Sequence, residues 1–289
     1  MSTAEPVSEE LLVELGEIAV QTANIAATLL LDRFQEGVAR EVSSKSTPTD
    51  LVSAADLESE RYIRETLAER RPHDGFLGEE GGEEPGSSGL RWVVDPLDGT
   101  VNFLFGIPQW CVSVAVEDGA GPLAGAIVDP IRREVFSAVR GGRAILQAPS
   151  AELPLGLAAT GPLPPLDERT LVASTREDLG TAMLATGLAY DASVRAAQAR
   201  VLARAIPRVR DIRRFGSAAL DLAWTAAGRY DAYFERTVKP WDITAGVLIC
   251  ECAGLAVREL PVHPDLPWGI LVAPGALCEP LLELVGGPG

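Results

Sequence analysis

The stretch W-V-V-D-P-L-D-G-T-V-N-F, Trp92 to Phe103, stops an apolar run at Asp95 and places a second carboxylate, Asp98, three residues later across a proline. Clustered carboxylate oxygens are the ligands that hard divalent cations take. Pro96 stiffens the turn, Gly99 permits tight backbone geometry, and Thr100 offers a hydroxyl at a helix start. The chemistry these types and spacings predict is cation-assisted handling of phosphate.

Three more acidic stations fall at loops or element ends: Asp56 in T-D-L-V-S-A-A-D, Glu79 in F-L-G-E-E, and Asp242 in K-P-W-D-I-T-A-G. Each has an ordinary reading alone. Asp242 would cap the free N–H groups of an apolar helix and complement its dipole, Glu79 and Glu80 would be solvated loop charge, and Asp56 would sit on a helix surface. Trp241 reads as packing. Together the stations form a pattern that chance rarely makes.

The elements that must position them divide the chain in two. Apolar residues at helical spacing predict helices over Ser8–Phe34 and about Ser53–Arg70, separated by the polar loop Val42–Asp50. The period then shifts to strands at Trp92–Val94, Cys111–Val116, Leu123–Val128, Glu134–Val139 and Arg143–Leu146. Residues 1–148 thus read as an N-terminal α+β domain. The Pro/Gly-rich stretch 149–165 is the predicted boundary, because its prolines prevent continuous helix and central-strand pairing. Residues 166–289 read as a C-terminal α/β domain, with strands at Thr170–Ala173, near Arg208–Ile212, at Tyr230–Phe234 and finally at Ile270–Ala273. Helices there are predicted over Ala192–Arg204, Ser217–Ala227 and Asp242–Ala253.

Composition removes several function classes. With 289 residues, 47% of them hydrophobic, the chain can bury a large core. A formal charge of −16 repels nucleic-acid backbones, so no nucleic-acid partner is expected, whereas small anions remain accessible through cations. Cys111, Cys250, Cys252 and Cys278 read as small buried hydrophobes rather than a zinc site or disulfide framework. The acidic N-terminus lacks the pattern of a signal peptide, and no apolar run approaches the roughly 20 residues of a membrane span. A cytoplasmic protein with no membrane partner is expected. His73 and His263 sit in polar, proline-flanked contexts, and neither a G-x-x-x-x-G-K-[ST] loop nor a strand-linked G-x-G-x-x-G is present, so nucleophilic-triad, P-loop and dinucleotide readings lack their geometry.

The motifs G-E-E (Gly78–Glu80), D-P-L-D-G-T-V-N-F (Asp95–Phe103) and W-D-I-T-A-G (Trp241–Gly246) resemble, in order and spacing, those of the inositol monophosphatase family. K-S-T-P-T-D-L-V-S-A-A-D (Lys45–Asp56), I-R-R-F-G-S-A-A (Ile212–Ala219) and D-A-Y-F-E (Asp231–Glu235) extend the resemblance over nearly the whole chain. It implies a layered α-β-α-β-α sandwich and a lithium-sensitive, Mg²⁺-dependent phosphatase with two to three ions per active site. Glu79, Asp95 and the Leu97 carbonyl would hold one ion, and Asp95, Asp98 and Asp242 a second. Asp56 and Glu79 would organise water around a weaker third. Thr100, backed by Asp56 or Glu79, would orient the attacking water.

By the same resemblance Gly99 and Thr100 would receive phosphate, Asp98 and Glu235 would meet substrate hydroxyls, and Gly216, Ser217 and Ala218 would line the pocket. Arg213 and Arg214 read as a solvated pair or as contacts to substrate or a partner subunit. The implied substrate is inositol monophosphate or a related polyol or sugar phosphate. Histidinol phosphate, fructose bisphosphate and 3′-phosphoadenosine 5′-phosphate are alternatives within the superfamily, and a non-catalytic phosphate- or metal-binding regulator is the alternative of another class. A homodimer is also implied. The G-G-R-A-I-L-Q-A-P continuation and E-C-A-G at Glu251–Gly254 depart from the family pattern without touching an implied ligand.

Overall fold

A computed structural model of the chain describes residues 7–36, 42–44, 51–150 and 165–287. The K-S-T-P-T-D segment and most of the Pro/Gly-rich stretch lie outside the described residues. The first helix, α1 (Glu9–Glu36), buries Leu15, Ile18, Ala19, Ala23, Ala26, Ala27 and Leu30, the three- and four-residue steps of one helical face. A two-stranded pair, β1 (Val42–Ser44) with β2 (Leu51–Ser53), leads into α2 (Ala54–Arg70).

The strands β3 (Gly75–Gly78), β4 (Gly82–Glu84) and β5 (Arg91–Asp98) follow, then the one-turn helix α3 (Thr100–Leu104). A meander completes the first half: β6 (Cys111–Asp118), β7 (Gly121–Asp129), β8 (Glu134–Val139) and β9 (Ile145–Pro149). With β10 (Leu166–Thr170) these strands form an eight-stranded sheet in the order β10-β9-β8-β7-β6-β5-β3-β4. Alternation along β6 splits its side chains between two cores. Val112, Val114 and Val116 face α1 and α2, while Cys111 and Ala115 face the opposite layer.

The second half contributes β11 (Met183–Thr186), α4 (Ala192–Ala205), β12 (Asp211–Arg213), α5 (Ala218–Ala226), β13 (Ala232–Arg236), α6 (Pro240–Cys252), β14 (Ala256–Leu260), β15 (Gly269–Ala273) and α7 (Gly275–Val285). Its five strands are ordered β12-β11-β13-β15-β14. α5 and α6 lie between the two sheets, and α4 and α7 cover the far face of the second. The layering is therefore α-β-α-β-α, the expected sandwich.

Some elements differ from the sequence expectation, each for a physical reason. The strand expected at Thr170–Ala173 lies earlier, at Leu166–Thr170, and pairs with β9 at the edge of the first sheet. Its residues L-D-E-R-T are all exposed, so no buried alternation marks it. β11 is a four-residue buried strand too short to show a period. The A-V-R-E-L of β14 is partly exposed and lacks a clean period. α7 carries Pro280 inside it and follows Ile270–Ala273, the last element the sequence predicts.

α6 approaches its neighbours at backbone distance. A Cβ on Gly246 would lie 2.6 Å from the Cβ of Leu222 in α5, and one on Gly125 of β7 would lie 3.0 Å from the Cα of Ala245. Small residues on both sides let α6 wedge between the sheets and fix where its first turn, with Asp242, emerges. Gly246→Val should therefore cost about 1–3 kcal/mol through overpacking. Urea unfolding checks this, and an unchanged midpoint would contradict the close packing.

Candidate active site

Three local devices bring the acids together. The first is a break in the β5–β6 ladder, where Asp95 pairs with Ser113 but Asp98 with Cys111, one residue more on β5 than on its partner. Residues three apart on a regular strand point to opposite faces. The bulge removes that alternation, and Pro96, having no N–H to give, sits inside it. Asp95 and Asp98 consequently line the same cleft.

The second device is parallel pairing. β3 runs beside β5 with Gly78 opposite Val94, and the Glu79 amide donates to the Val94 carbonyl at 3.2 Å. Glu79 thus emerges next to Asp95. The third is the start of α6, where Lys239 precedes Pro240 and the Asp242 Oδ2 accepts from the Lys239 amide at 2.6 Å. Asp242 is therefore not the cap expected from the sequence but the third helical residue, whose carboxylate returns to the amide of the N-cap Lys239, and it lines the cleft as well.

The cleft holds about 380 Å³ and is lined by Glu79, Asp95, Leu97, Asp98, Gly99, Thr100, Gly216, Ser217, Ala218, Glu235 and Asp242. Those are all the expected site residues but Asp56. Asp56 lies directly behind, fully buried in the first turn of α2, where its Oδ1 accepts the Thr100 hydroxyl at 2.9 Å. The Thr100 Oγ1 is also 3.1 Å from the Leu97 carbonyl. The helix after D-G-T is only five residues long, and Gly99 turns into it at φ 97°, where a side chain would also meet the Gln109 carbonyl at 2.9 Å.

Asp98 is the most firmly held of the acids. Its Oδ2 accepts from the Ser217 hydroxyl and the Ala219 amide, both at 2.7 Å, and its Oδ1 accepts from the Ala218 amide at 3.2 Å. The G-S-A segment, expected as pocket lining, thus has a second task that the sequence did not reveal. The Cys111 thiol lies 3.7 Å from the same Oδ2, and burial pushes its pKa well up. Asn102, a motif residue with no role assigned from sequence, donates from Nδ2 to the carbonyls of Gln109 and Phe215, each at 2.7 Å. It ties the β5 loop to the loop before α5.

Arg213 and Arg214, alike in sequence, separate in space. Arg213 pairs with Asp211 at 2.6 Å, whereas Arg214 lines the cleft. The cleft also includes Lys239, half-buried Trp241 and the Gly187–Asp191 segment. Gly187 has no room for a Cβ, which would lie 1.9 Å from Glu235 Oε1. No short-range sequence signal marks it, since the contact joins β11 to β13. His73 and His263 do not line the cleft.

Electrostatics identify the kind of group the cleft suits. Burial, and then the charges of Glu79, Asp98 and Asp242, hold the Asp95 carboxyl well above the usual carboxylate range. Burial and the Asp98 charge do the same to Asp242. Asp98 is pushed up to about 6 by burial, against the hydrogen bonds from Ser217, Ala219 and Ala218. Glu235 is pushed up to about 7 by burial and the Asp98 charge, opposed by a Tyr233 hydroxyl at 2.9 Å and by Arg214. Among the described residues, no three His, Cys, Asp or Glu side chains are already gathered closely enough to hold an ion. The donor set is nevertheless all oxygen and excessively negative, which suits a hard divalent cation.

Layering and cleft together define the class: an α/β sandwich whose acids converge between its two sheets, a setting for cation-dependent phosphate chemistry. The inositol monophosphatase family model matches residues 11–278, and the chain belongs to that family. It is 41% identical over 259 residues to inositol-1-monophosphatase SuhB of Mycobacterium tuberculosis, covering 84% of this chain and 83% of that protein. It is 39% identical over 238 residues to Nus factor SuhB of Xylella fastidiosa, covering 82% of this chain and 78% of that protein. The solved structure of extragenic suppressor protein suhB from Bartonella henselae superposes with a TM-score of 0.79 at 33% identity, covering 93% of this chain and 97% of that one. The chain is accordingly a phosphoric monoester hydrolase of a metal-dependent family.

The raised carboxyls set a pH dependence. A group whose folded pKa exceeds its unfolded value, about 4 for a carboxylate, stabilises the fold below the unfolded pKa and loses that contribution as pH rises through the folded one. For the cation-free protein, the window ends at about 6 for Asp98 and about 7 for Glu235. The melting temperature should fall between about pH 4 and pH 7, less steeply in Glu235→Gln, and a divalent cation should raise it more at the higher pH. A cation effect independent of pH would contradict these electrostatics.

Proposed function

We propose that the protein hydrolyses the phosphate monoester of inositol, or of a related polyol or sugar, with Mg²⁺ as the cation. The observation that carries this reading is the gathering of Glu79, Asp95, Asp98, Asp242 and Glu235 in one cleft, beside a Thr100 hydroxyl bonded to buried Asp56. The inositol-1-monophosphatase name of the mycobacterial relative supports the polyol. Glu79, Asp95 and the Leu97 carbonyl are proposed to hold one ion and Asp95, Asp98 and Asp242 a second, with Asp56 and Glu79 serving a weaker third. Bound Mg²⁺ would neutralise the phosphate charge and make a coordinated water more acidic.

The chain's own groups do the rest. The Thr100 hydroxyl donates to Asp56, so its lone pairs are left to accept a proton from the attacking water, and Asp56 is the acceptor behind it. Asp98, immobilised by Ser217, Ala218 and Ala219, offers a fixed edge to the hydroxyl beside the phosphate. Glu235, at the end of β13, accepts from more distant hydroxyls, and Arg214 supplies positive charge at the rim. Gly99 and Gly216 line the cleft without side chains, which leaves room for phosphate.

A phosphate-release screen across inositol, sugar, histidinol and nucleotide monophosphates with Mg²⁺ tests the reading. Turnover should be greatest on the polyol phosphates, and preference for a nucleotide would overturn the substrate. Thr100→Ala should lower kcat by about 10²–10⁴, and Glu235→Gln should raise KM more than it lowers kcat. Li⁺ should inhibit the wild type, and full insensitivity would count against the proposed ion set.

A second, non-catalytic role alongside hydrolysis is favoured by the name Nus factor carried by the relative from Xylella fastidiosa. Under it, Asp95→Asn would lose phosphate release yet keep biological activity. The reading also includes two domains meeting at the Pro/Gly-rich segment, a homodimer and a reducing, cytoplasmic setting. Four free thiols support the last, and no described helix is long and apolar enough to cross a membrane.

A further inference from the structure

One face of α2 reaches both loops that carry the central acids. Asp56, Ser59 and Glu60 stand at i, i+3 and i+4 and are all buried. Asp56 accepts from Thr100, and the Ser59 hydroxyl donates to the Pro96 carbonyl inside the β5 bulge at 3.0 Å. Glu60 reaches the other loop, where its Oε2 accepts from the Glu80 amide and its Oε1 from the Gly81 amide, each at 2.7 Å. These are charge-assisted bonds to the backbone that immediately follows Glu79.

Two glycines that bracket the acid pair let this carboxylate approach the backbone. A Cβ on Gly78 would lie 2.3 Å from Glu60 Oε2, and one on Gly81 would lie 2.5 Å from Glu60 Oε1. Neither glycine has a positive φ, so a left-handed backbone does not require them. The Glu60 carboxylate fills the space they leave, together with the Phe76 ring edge, 2.6 Å from a Cβ on Gly78, and the Arg64 guanidinium, 2.5 Å from one on Gly81. Arg64, one turn further along α2, steadies it with an ion pair at 3.0 Å, while its guanidinium stacks 4.1 Å over the Phe76 ring and its other arm pairs with Glu84. Glu60 itself does not line the cleft.

We propose that Glu60 is a positioning residue, fixing the Glu80–Gly81 backbone and so presenting Glu79 to the cation. The inference rests on the proposed role of Glu79 as a ligand. Removing an outer partner of a metal ligand characteristically weakens metal binding about 10–100-fold. Glu60→Gln keeps the side-chain shape but sets an amide NH₂ against one of the two backbone donors.

The test is calorimetric titration of the full-length protein with Mg²⁺ and Mn²⁺, with phosphate release measured in parallel, for wild type, Glu60→Gln, Gly81→Ala, Glu84→Gln and Glu79→Gln. Glu60→Gln and Gly81→Ala should each bind the cation about 10–100-fold more weakly, with the substrate KM at saturating cation unchanged. Glu84→Gln, at the exposed end of the same ion-pair chain, should bind as wild type does. A purely structural role would lower the melting temperature and the active fraction but leave the binding constant in place, and that result overturns the inference. So does wild-type affinity in Glu60→Gln while Glu79→Gln is weakened. Unchanged affinity in Glu79→Gln overturns the ligand assignment and this inference with it. Should Glu60→Gln fail to fold, Gly81→Ala, which crowds the same carboxylate from its other side, decides by the same readout.

Discussion

Mutual repulsion among carboxylates held in one partly buried cleft is the constraint on which the rest of the structure depends. Glu79, Asp98, Asp242 and Glu235 each raise the pKa of at least one neighbouring carboxyl, and burial is the largest cause at Asp95, Asp98, Asp242 and Glu235. A fold that brings such groups together must either protonate them, surround them with donors or accept a cation. This chain surrounds Asp98 with donors and ties Asp242 to the Lys239 amide, while Asp95 has one donor among the described residues, the Leu97 amide at 3.0 Å. The unequal treatment gives the cleft an address for positive charge at its centre.

Rigid scaffolding answers that repulsion. The cleft's floor is the end of a central strand in an eight-stranded sheet, its far wall is the first turn of a helix wedged between two sheets, and its back is the buried start of α2. The core behind it contains an aromatic cluster of Phe34, Phe103 and Trp110, with ring centroids 5.1–5.4 Å apart. Phe103 and Trp110 flank the motif loop, so packing that stabilises the domain also fixes the loop. Stability and function share the same side chains here.

Much of this was legible in the sequence, and the pattern of what was not is instructive. α1, α5 and the β6–β8 meander announce themselves through apolar periods of the right length, whereas α2 buries Asp56, Ser59 and Glu60 on its inner face and α6 is buried nearly all round. β10, β11, β14 and α7 go unannounced, because exposure, brevity, a mixed pattern and an internal proline erase the period. Asp95, Asp98, Thr100, Glu79 and Asp242 stood out through motif context. Asn102, Gly187 and Glu60 did not, since their meaning lies in partners distant along the chain: a carbonyl at Phe215, a carboxylate at Glu235, and amides at Glu80 and Gly81.

By itself the sequence determined the inventory: which acids lie at element ends, which segments bury which face, and a charge balance that disfavours nucleic acid. It could do so because side-chain type and spacing are local quantities. Only the tertiary structure decided that Asp95 and Asp98 face the same way, that Ser217 serves Asp98, and that Arg213 and Arg214 part company. Those outcomes follow from a ladder bulge, a helix dipping between sheets and a turn between strands. Each depends on the register of one element against another, which no window along the chain contains.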